Sequence, residues 1–389
     1  PCALKRKSAT SAGSAFIAKT ELTGRKVAVI GAGIAGLTAA IALRQQGATV
    51  EVYERSSELS ETGAGIQIAP NAMRLFDRLG LRGRLHAVGV PAQGVDLRAG
   101  LSDKRLMFAR FSGDYLFVHR ADLIDALGQA AIAAGAVIHL SQTVQAADLD
   151  ADLIVAADGI HSVHRRALNP DLIPRSSGMI AYRMTCPTRG DEPPVARLWT
   201  GPGRHVVSYP IRSGTLINVV CVCERIDPGS TGWSTPAARA DVHADFSDFA
   251  PNVHALIAQS GPILRWALFA APVAHNWQDG RVVLIGDAAH PTLPFLAQGA
   301  NMGIEDGWLL AALLGQHGIA VLPHFEALRR SRTSKIVAAA EQNGRIYHAR
   351  GPARLVLEAG VTLTNRLVPM LLQRRYDWVH DYDAAADVA

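Results

Sequence analysis

The chain has 389 residues, 49% hydrophobic and 19% charged, a globular balance that excludes a disordered polypeptide and leaves room for two interlocked domains plus a tail. Its formal net charge of +5 comes from scattered basic residues with no interleaved aromatics, which argues against a nucleic-acid surface and for mild attraction to anionic ligands. Four cysteines, Cys2, Cys186, Cys221 and Cys223, make no CxxC pair or Cys/His cluster, so no metal site is expected and a reducing, cytoplasmic setting fits best.

Residues 1–24 are rich in Ser and Ala, almost free of acids, and lack the apolar core of a secretory signal. They read as a disordered leader, with the fold starting at Arg25. No later apolar run has the length of a membrane span.

KVAVI (Lys26–Ile30) reads as a buried parallel strand. GAGIAG follows at once, then a helix-forming stretch that ends at Gly47, then a strand reaching Glu54. Gly31 permits the tight turn, Gly33 lets backbone approach a pyrophosphate, and Gly36 lets the helix pack on the strand. The helix N-terminus offers unpaired N–H groups to phosphates, and Glu54 stands where a carboxylate can bond a ribose diol. Such a unit binds a dinucleotide containing adenosine without saying which.

A second Gly-rich turn (Gly63, Gly65) leads into a helix from near Asn71, but the strand–helix alternation then gives way to mixed short segments. A helix is expected over 121–134 with Arg120 at its entrance. The strand LIVAA precedes an Asp158-Gly159 turn and a polar stretch ending in Arg165. From 179 to 223 short strand-like runs predict an antiparallel sheet, with Cys221 and Cys223 on one face. Helix returns over 237–258. The strand VVLIG ends at Asp287, a Pro-rich loop with Pro291 and Pro294 follows, and Gln298, Gly299, Ala300 and Asn301 open a long helix. Residues 345–388 show helical apolar spacing.

GAGIAG with Glu54, IVAADGIHS, and RVVLIGDAAHPTLPFLAQGANMGIEDG, in this order, resemble the motifs of the single-component (group A) FAD-dependent aromatic monooxygenases. The resemblance spans 25–383 and points to the branch with salicylate hydroxylase, 3-hydroxybenzoate 6-hydroxylase and 6-hydroxynicotinate 3-monooxygenase. It implies an α/β fold: a Rossmann-like FAD-binding domain interleaved with a mixed or antiparallel-sheet substrate domain, and a C-terminal helical segment. The expected bounds are 25–175 and 266–330 for the FAD-binding domain, 176–265 for the substrate sheet, and 331–389 for the helical region. The last would pack across a dimer partner or cover the FAD domain.

The resemblance also assigns roles. Gly31, Gly33, Gly36 and Glu54 would hold the ADP half of FAD, with Arg55 among the cofactor-binding residues. Arg120 would reach the pyrophosphate or ribityl region, and Asp158 would stand in a motif linked to FAD and NAD(P)H use. Asp287 would bind a ribityl hydroxyl, and Pro294 would stiffen the loop over the flavin face. Residues 298–301 would present backbone N–H groups to the pyrimidine edge. That last role has an independent reason, because reduction puts negative charge there and a helix N-terminus stabilises it. The implied reaction uses NADH or NADPH to reduce FAD, and O2 to form a flavin C4a-hydroperoxide that attacks an electron-rich ring, with or without decarboxylation.

Such an attack is faster on a phenol that is losing its proton, so a base is wanted near the substrate. His205 and Tyr209 in GPGRHVVSYPIR share one face of a strand, and related enzymes use a similar pair on their substrates; the plainer reading is a half-buried pair lining a sheet. His290 resembles a position beside the flavin. Phe295, Leu296, Tyr182, Trp199 and Met184 are candidates for an apolar pocket. The expected partner is a small aromatic acid, with no nucleic acid and no membrane insertion, the enzyme being a monomer or homodimer. An FAD-dependent epoxidase or reductase of lipids or isoprenoids is the alternative, disfavoured by the His/Tyr pair and by the expected lack of an apolar docking tail. A non-catalytic flavin-binding module is a third.

Overall fold

The computed structural model describes residues 20–59, 65–225 and 235–388. Cys2 and Gly63 lie outside them.

Strand β1 (Lys26–Ile30) is buried from its second residue on, as β-branched residues in a parallel sheet should be. Helix α1 (Ile34–Gln45) starts after Gly33, and β2 (Thr49–Tyr53) pairs parallel to β1. Gly31 has φ +101°, and a Cβ there would stand 2.4 Å from the Ala157 carbonyl oxygen. A Cβ on Gly36 would stand 2.0 Å from the Gly31 oxygen, so helix and strand approach to a distance only glycine allows. The packed chain reaches back beyond Arg25: Leu22 is 1% exposed, and Glu21 N–H donates to Gly315 O at 3.0 Å. The leader expected over 1–24 therefore gives way to packed chain by Thr20.

Next come β3 (Gly65–Ile68), α2 (Pro70–Arg78), α3 (Arg82–Val88), β4 (Val90–Pro91), β5 (Gly94–Ala99), β6 (Arg105–Arg110), β7 (Leu116–His119), α4 (Arg120–Ala133), β8 (Val137–His139), β9 (Leu153–Ala156) and α5 (Val163–Leu168). The long strands β10 (Arg175–Pro187), β11 (Val195–Gly201), β12 (Arg204–Ile211) and β13 (Leu216–Glu224) follow, then β14 (Thr235–Pro236). The helix expected over 237–258 is two, α6 (Arg239–Asp245) and α7 (Pro251–Gln259), because Pro251 takes the first position of a new helix. The chain ends with β15 (Leu264–Ala270), β16 (Val282–Leu284), α8 (Gly299–His317), α9 (Leu322–Tyr347), α10 (Gly351–Leu367), α11 (Pro369–Gln373) and α12 (Asp377–His380).

Three sheets result. A five-stranded parallel sheet has the order β16-β9-β1-β2-β8, an eight-stranded sheet runs β14-β15-β10-β13-β12-β11-β5-β6, and β3, β7 and β4 form a small antiparallel one. The large sheet is antiparallel except where β5 joins β11. Strands β5 and β6 come from the stretch assigned to the FAD-binding domain, and β15 runs past residue 265, so the expected boundaries at 175 and 265 do not divide the sheets. One face of the large sheet packs on α6 and α7 through Ile180, Tyr182, Met184, Trp199, Cys221, Cys223, Phe246 and Val253. Tyr182, Met184 and Trp199 are therefore core beneath these helices, not the pocket residues expected. Period-two alternation sends Arg183, His205 and Tyr209 to the opposite face.

Helix α8 crosses α1 closely because Gly303 and Gly307 face Ala35 and Ala39; a Cβ on Gly307 would lie 2.7 Å from the Ala39 nitrogen. Its next residues carry a fully buried ion network. Asp306 accepts from Gly286 N–H at 2.8 Å and Arg329 Nε–H at 2.6 Å, and its Oδ2 lies 2.5 Å from His290 Nε2. Arg329 also meets Glu305 at 2.8 Å, and Glu305 accepts from Arg332 and Asn71, each at 2.7 Å. Glu305, Asp306, Arg329 and His290 are all 0% exposed. Burial would raise the Asp306 carboxyl, but the charges of His290 and Arg329 outweigh it and hold it at about 2. This contribution is present above the usual carboxylate pKa of 3.8 and is lost as pH falls through about 2.

The C-terminus splits between two roles. Val379 and Ala384 are buried, and Arg74 donates to His380 O at 2.6 Å, so the last turns cover the FAD-binding side. By contrast α10 and α11 expose Leu355, Val356, Leu363, Leu367, Met370 and Leu371. The expected absence of an apolar docking tail therefore does not hold. Among the described residues no single helix is long and apolar enough to cross a membrane.

Two stability predictions result. Arg329→Met strips buried Asp306 and Glu305 of their shared cation and should cost about 3–5 kcal/mol in urea unfolding; a loss below about 1 kcal/mol would contradict the role given to the network. Gly31→Ala forces a Cβ against the Ala157 carbonyl at a positive φ, and calorimetry should show a lowered Tm from about 1–3 kcal/mol of overpacking. An unchanged Tm would count against that contact.

Candidate active site

The parallel sheet reverses its strand order around β1, with β2 on one side and β9 on the other, and the crevice at the carboxyl ends of such strands is where ligands bind. The loops after β1, β2, β9 and β16 all open there. The inner face of the large sheet meets the loop after β16, where Phe295 packs with Ala181, Val222 and Leu268.

At the crevice, α1 presents its N-terminus with no side chain capping it at Gly33. Glu54 follows β2 and is fixed by two backbone donors, Ala32 N–H at 2.8 Å and Ser56 N–H at 2.9 Å. Exposed Arg55 lies near His161, whose imidazole is lowered by burial and by the charges of Arg55 and Arg166. Asp158 is oriented by His164, with Oδ2 2.8 Å from Nδ1. Since His164 Nε2 accepts from Ala146 N–H at 3.1 Å, the proton sits on Nδ1 and points at the carboxylate. Asp158 Oδ1 and the Nε and Nη1 of Arg165 are buried without a protein partner, although Arg165 is 1% exposed.

Asp287 follows β16 in a short 3-10 turn. Its side chain reaches solvent while protein surrounds it on most sides, the situation of a carboxylate lining a deep cleft. That enclosure raises its pKa, against the pull of His290, Arg120 and Arg165. Arg120 is lowered to about 10 by burial and by the like charge of Arg183, with Asp287 and Tyr209 opposing. Arg120 thus stands between the turn of Asp287 and the substrate sheet.

Ala297, at φ +51°, turns the chain into α8, whose first intrahelical bond to a preceding residue is Met302 N–H to Gln298 O at 2.8 Å. The N–H groups of Gly299, Ala300 and Asn301 belong to the unsatisfied first turn. Gln298 accepts from Asn71 at 3.1 Å through Oε1 while its Nε2 is buried without a protein partner, and Asn301 bonds Ala69 N–H at 2.9 Å and Gln67 O at 3.1 Å. Pro294 is exposed and begins a 3-10 turn that buries Phe295. His290 is spent on Asp306.

These features suit FAD. Two uncapped helix N-termini, the Glu54 and Asp287 carboxylates, and the unpartnered buried polar atoms of Asp158 and Arg165 all border one crevice. An extended nucleotide with a pyrophosphate, a ribose diol and a polyhydroxyl chain satisfies them together.

On the substrate side, His205 and Tyr209 lie on the inner face of β12, 3% and 5% exposed. The Tyr209 ring lies 4.8 Å from Phe117, and burial raises its hydroxyl pKa, with Arg183 and Arg120 opposing. His205 packs edge-on to Phe295 at 5.3 Å, and its Nδ1 is 2.8 Å from Nε2 of His348. Burial and His348 lower its pKa well below 6.5. Arg183, stacked 4.6 Å over Trp266 and lowered by burial, was missed in the sequence, though alternation within AYRM requires it to face away from Tyr182 and Met184. His348, 143 residues from His205, gave no signal at all. Among the described residues no three His, Cys, Asp or Glu side chains cluster as a metal site.

Comparison with known proteins agrees with this geometry. The family model described as an FAD binding domain matches residues 25–148 and 115–340. The chain is 34% identical to a 3-amino-4-hydroxybenzoate 2-monooxygenase of Streptomyces platensis, over 92% of this chain and 96% of that protein. It is 34% identical to a 3-hydroxybenzoate 6-hydroxylase of Polaromonas naphthalenivorans, over 85% and 90%. A salicylate hydroxylase substrate complex superposes with a TM-score of 0.78 at 25% identity, covering 94% of this chain and 97% of that one. The chain belongs to the FAD-binding-domain family and, within it, to the FAD-dependent aromatic monooxygenases.

Proposed function

We propose that the protein hydroxylates a small phenolic or hydroxypyridine carboxylic acid with NADH or NADPH and O2, with or without decarboxylation. The observation that supports this reading is the inner face of β12, where His205 and Tyr209 are buried side by side on one strand face and Arg183 and Arg120 act on Tyr209. The hydroxybenzoate and aminohydroxybenzoate substrates named for the two relatives support it.

When bound, FAD supplies electron transfer and oxygen activation. Gly31, Gly33, Gly36, Glu54 and Arg55 would hold its ADP half, with Asp158, Arg120 and Asp287 along the chain toward the ring. The first N–H groups of α8 would stabilise negative charge at the pyrimidine edge, and Pro294 would stiffen the loop above it. Arg120 and Arg183 favour an anionic substrate and the phenolate over the phenol. His205 is neutral at pH 7 because its pKa is lowered, and so can accept the phenolic proton. Tyr209 would position the ring from the same strand face. Buried, free Cys186, Cys221 and Cys223 suit a cytoplasmic enzyme, and a monomer or homodimer is the expected state. A charged, hydrogen-bonding cleft of this kind fits an aromatic acid better than a lipid or isoprenoid.

Purified yellow enzyme should consume NADH or NADPH and O2 faster with one member of a hydroxybenzoate and hydroxypyridine-carboxylate panel, and release its hydroxylated product. Equal slow oxidation with every acid, giving only peroxide, would overturn the reading. His205→Ala should lower kcat by about 10²–10⁴ at neutral pH with substrate binding retained. In the wild type, activity should persist as pH falls and fail only below 6.5, where His205 gains its proton. An acid limb above that value would refute His205 as the base.

A further inference from the structure

A helix lying on a folded core turns its apolar residues inward and its charged ones to water. Helix α10 does the reverse. Leu355, Val356, Ala359, Leu363 and Leu367 recur at the three- and four-residue spacing of one face, and all are exposed, Val356 to 70% and Leu367 to 67%. The charged pair sits on the other side. Arg354 Nε donates to Glu358 Oε1 at 2.6 Å, and both line the crevice where α10 meets Leu97, Leu106 and Thr200 of the large sheet. Thr362, one turn on, gives its hydroxyl to the Glu358 carbonyl at 2.7 Å. Among the exposed residues of α10 from Leu355 onward, Arg366 alone is polar.

The apolar surface continues past the helix. At Val368 the chain bends by 115° into the segment 369–380, and the corner adds Val368, Met370 and Leu371, 49–66% exposed. Over 351–376 the sequence carries four arginines and one acid, and that acid, Glu358, is already paired with Arg354. Arg366, Arg374 and Arg375 are exposed at the border of the apolar surface, and none meets a carboxylate among the described residues. Half-exposed Trp378 follows them. A second copy docked here about a two-fold axis would set these arginines against a surface with the same excess of arginine, and like charges across an interface are costly. An anionic lipid surface meets every feature at once. Its acyl boundary takes the leucines, its headgroups take the guanidinium groups, and an indole sits between the two.

We propose that the outward face of α10 and α11 docks the protein on an anionic phospholipid membrane, with the two helices lying in the headgroup layer and not crossing it. The apolar side chains and the three free arginines are the two signals that reversible surface binding needs, one buried in the acyl boundary and one electrostatic. The electrostatic part weakens as salt screens it. Docking goes beyond the hydroxylase reading and does not rest on it, since no residue of this face borders the cofactor crevice or the inner face of β12.

The test is co-sedimentation of the FAD-loaded full chain with vesicles of phosphatidylcholine, with and without phosphatidylglycerol. The protein should pellet with the anionic vesicles, far less with the neutral ones, and less as salt rises. Leu363→Glu combined with Leu367→Glu should abolish pelleting, while Tm and FAD content stay at wild-type values. Arg374→Gln combined with Arg375→Gln should weaken vesicle affinity about tenfold or more, and keeps the test decisive if the leucine variant folds poorly. Equal pelleting with neutral vesicles, or pelleting with neither, would overturn docking. So would a wild type that ignores vesicles but dimerises in analytical ultracentrifugation and separates on Leu363→Glu, since the face then belongs to a second copy. Hydroxylation is assayed in vesicle-free solution, so either claim can fail without the other.

Discussion

The architecture depends on Asp306 and Arg329. One buried carboxylate ties the Gly286 amide, His290 and Arg329, while Arg329 in turn holds Glu305. Through these groups the turn carrying Asp287, the loop carrying Pro294 and the N-terminus of α8 are locked to α9. A buried charge cluster is expensive to desolvate, and a well-packed apolar substitute can be as stable or more so. What the ions supply here is a fixed register between a loop and two helices. The close crossing of α8 on α1 at Gly303 and Gly307 completes the arrangement, so that both helix N-termini open on one crevice.

The same economy of charge governs the substrate side. Burial and the charge of Arg183 lower Arg120, and Asp287 opposes them from the cofactor side. His205 meets the opposite constraint: it is kept neutral by burial and hydrogen-bonded to His348 instead of to a direct counter-ion.

Much of this was legible in the sequence where a local rule forces the outcome. The spacing of Gly31, Gly33 and Gly36 between a strand and a helix specifies a phosphate-accepting turn, and four-residue spacing on a strand puts His205 and Tyr209 on one face. Alternation also decides the places where the reading erred. Tyr182 and Met184 flank Arg183, so choosing them as pocket residues sends the arginine to the core, whereas the reverse is true. The sheet boundaries at 175 and 265 were misplaced because β5 and β6 join the large sheet by long-range pairing with β11, which no local pattern encodes. No local pattern ends the leader at Thr20, because burial of Leu22 depends on tertiary contacts outside its own segment. His348 gives no local signal because its partners, His205 and Glu224, lie far away along the chain. The exposed apolar faces of α10 and α11 were likewise hidden, because helical spacing reports a stripe but not whether anything covers it.

The central claim is that one oxygen atom from O2 is placed on an aromatic acid in the cleft between β12 and the N-terminus of α8. Turnover under oxygen-18-labelled O2, followed by mass spectrometry of the product, tests it most directly. The account predicts one labelled oxygen in the hydroxylated product and none from labelled water. Product carrying oxygen only from water, or reduced cofactor consumed with all label recovered as peroxide, would contradict it.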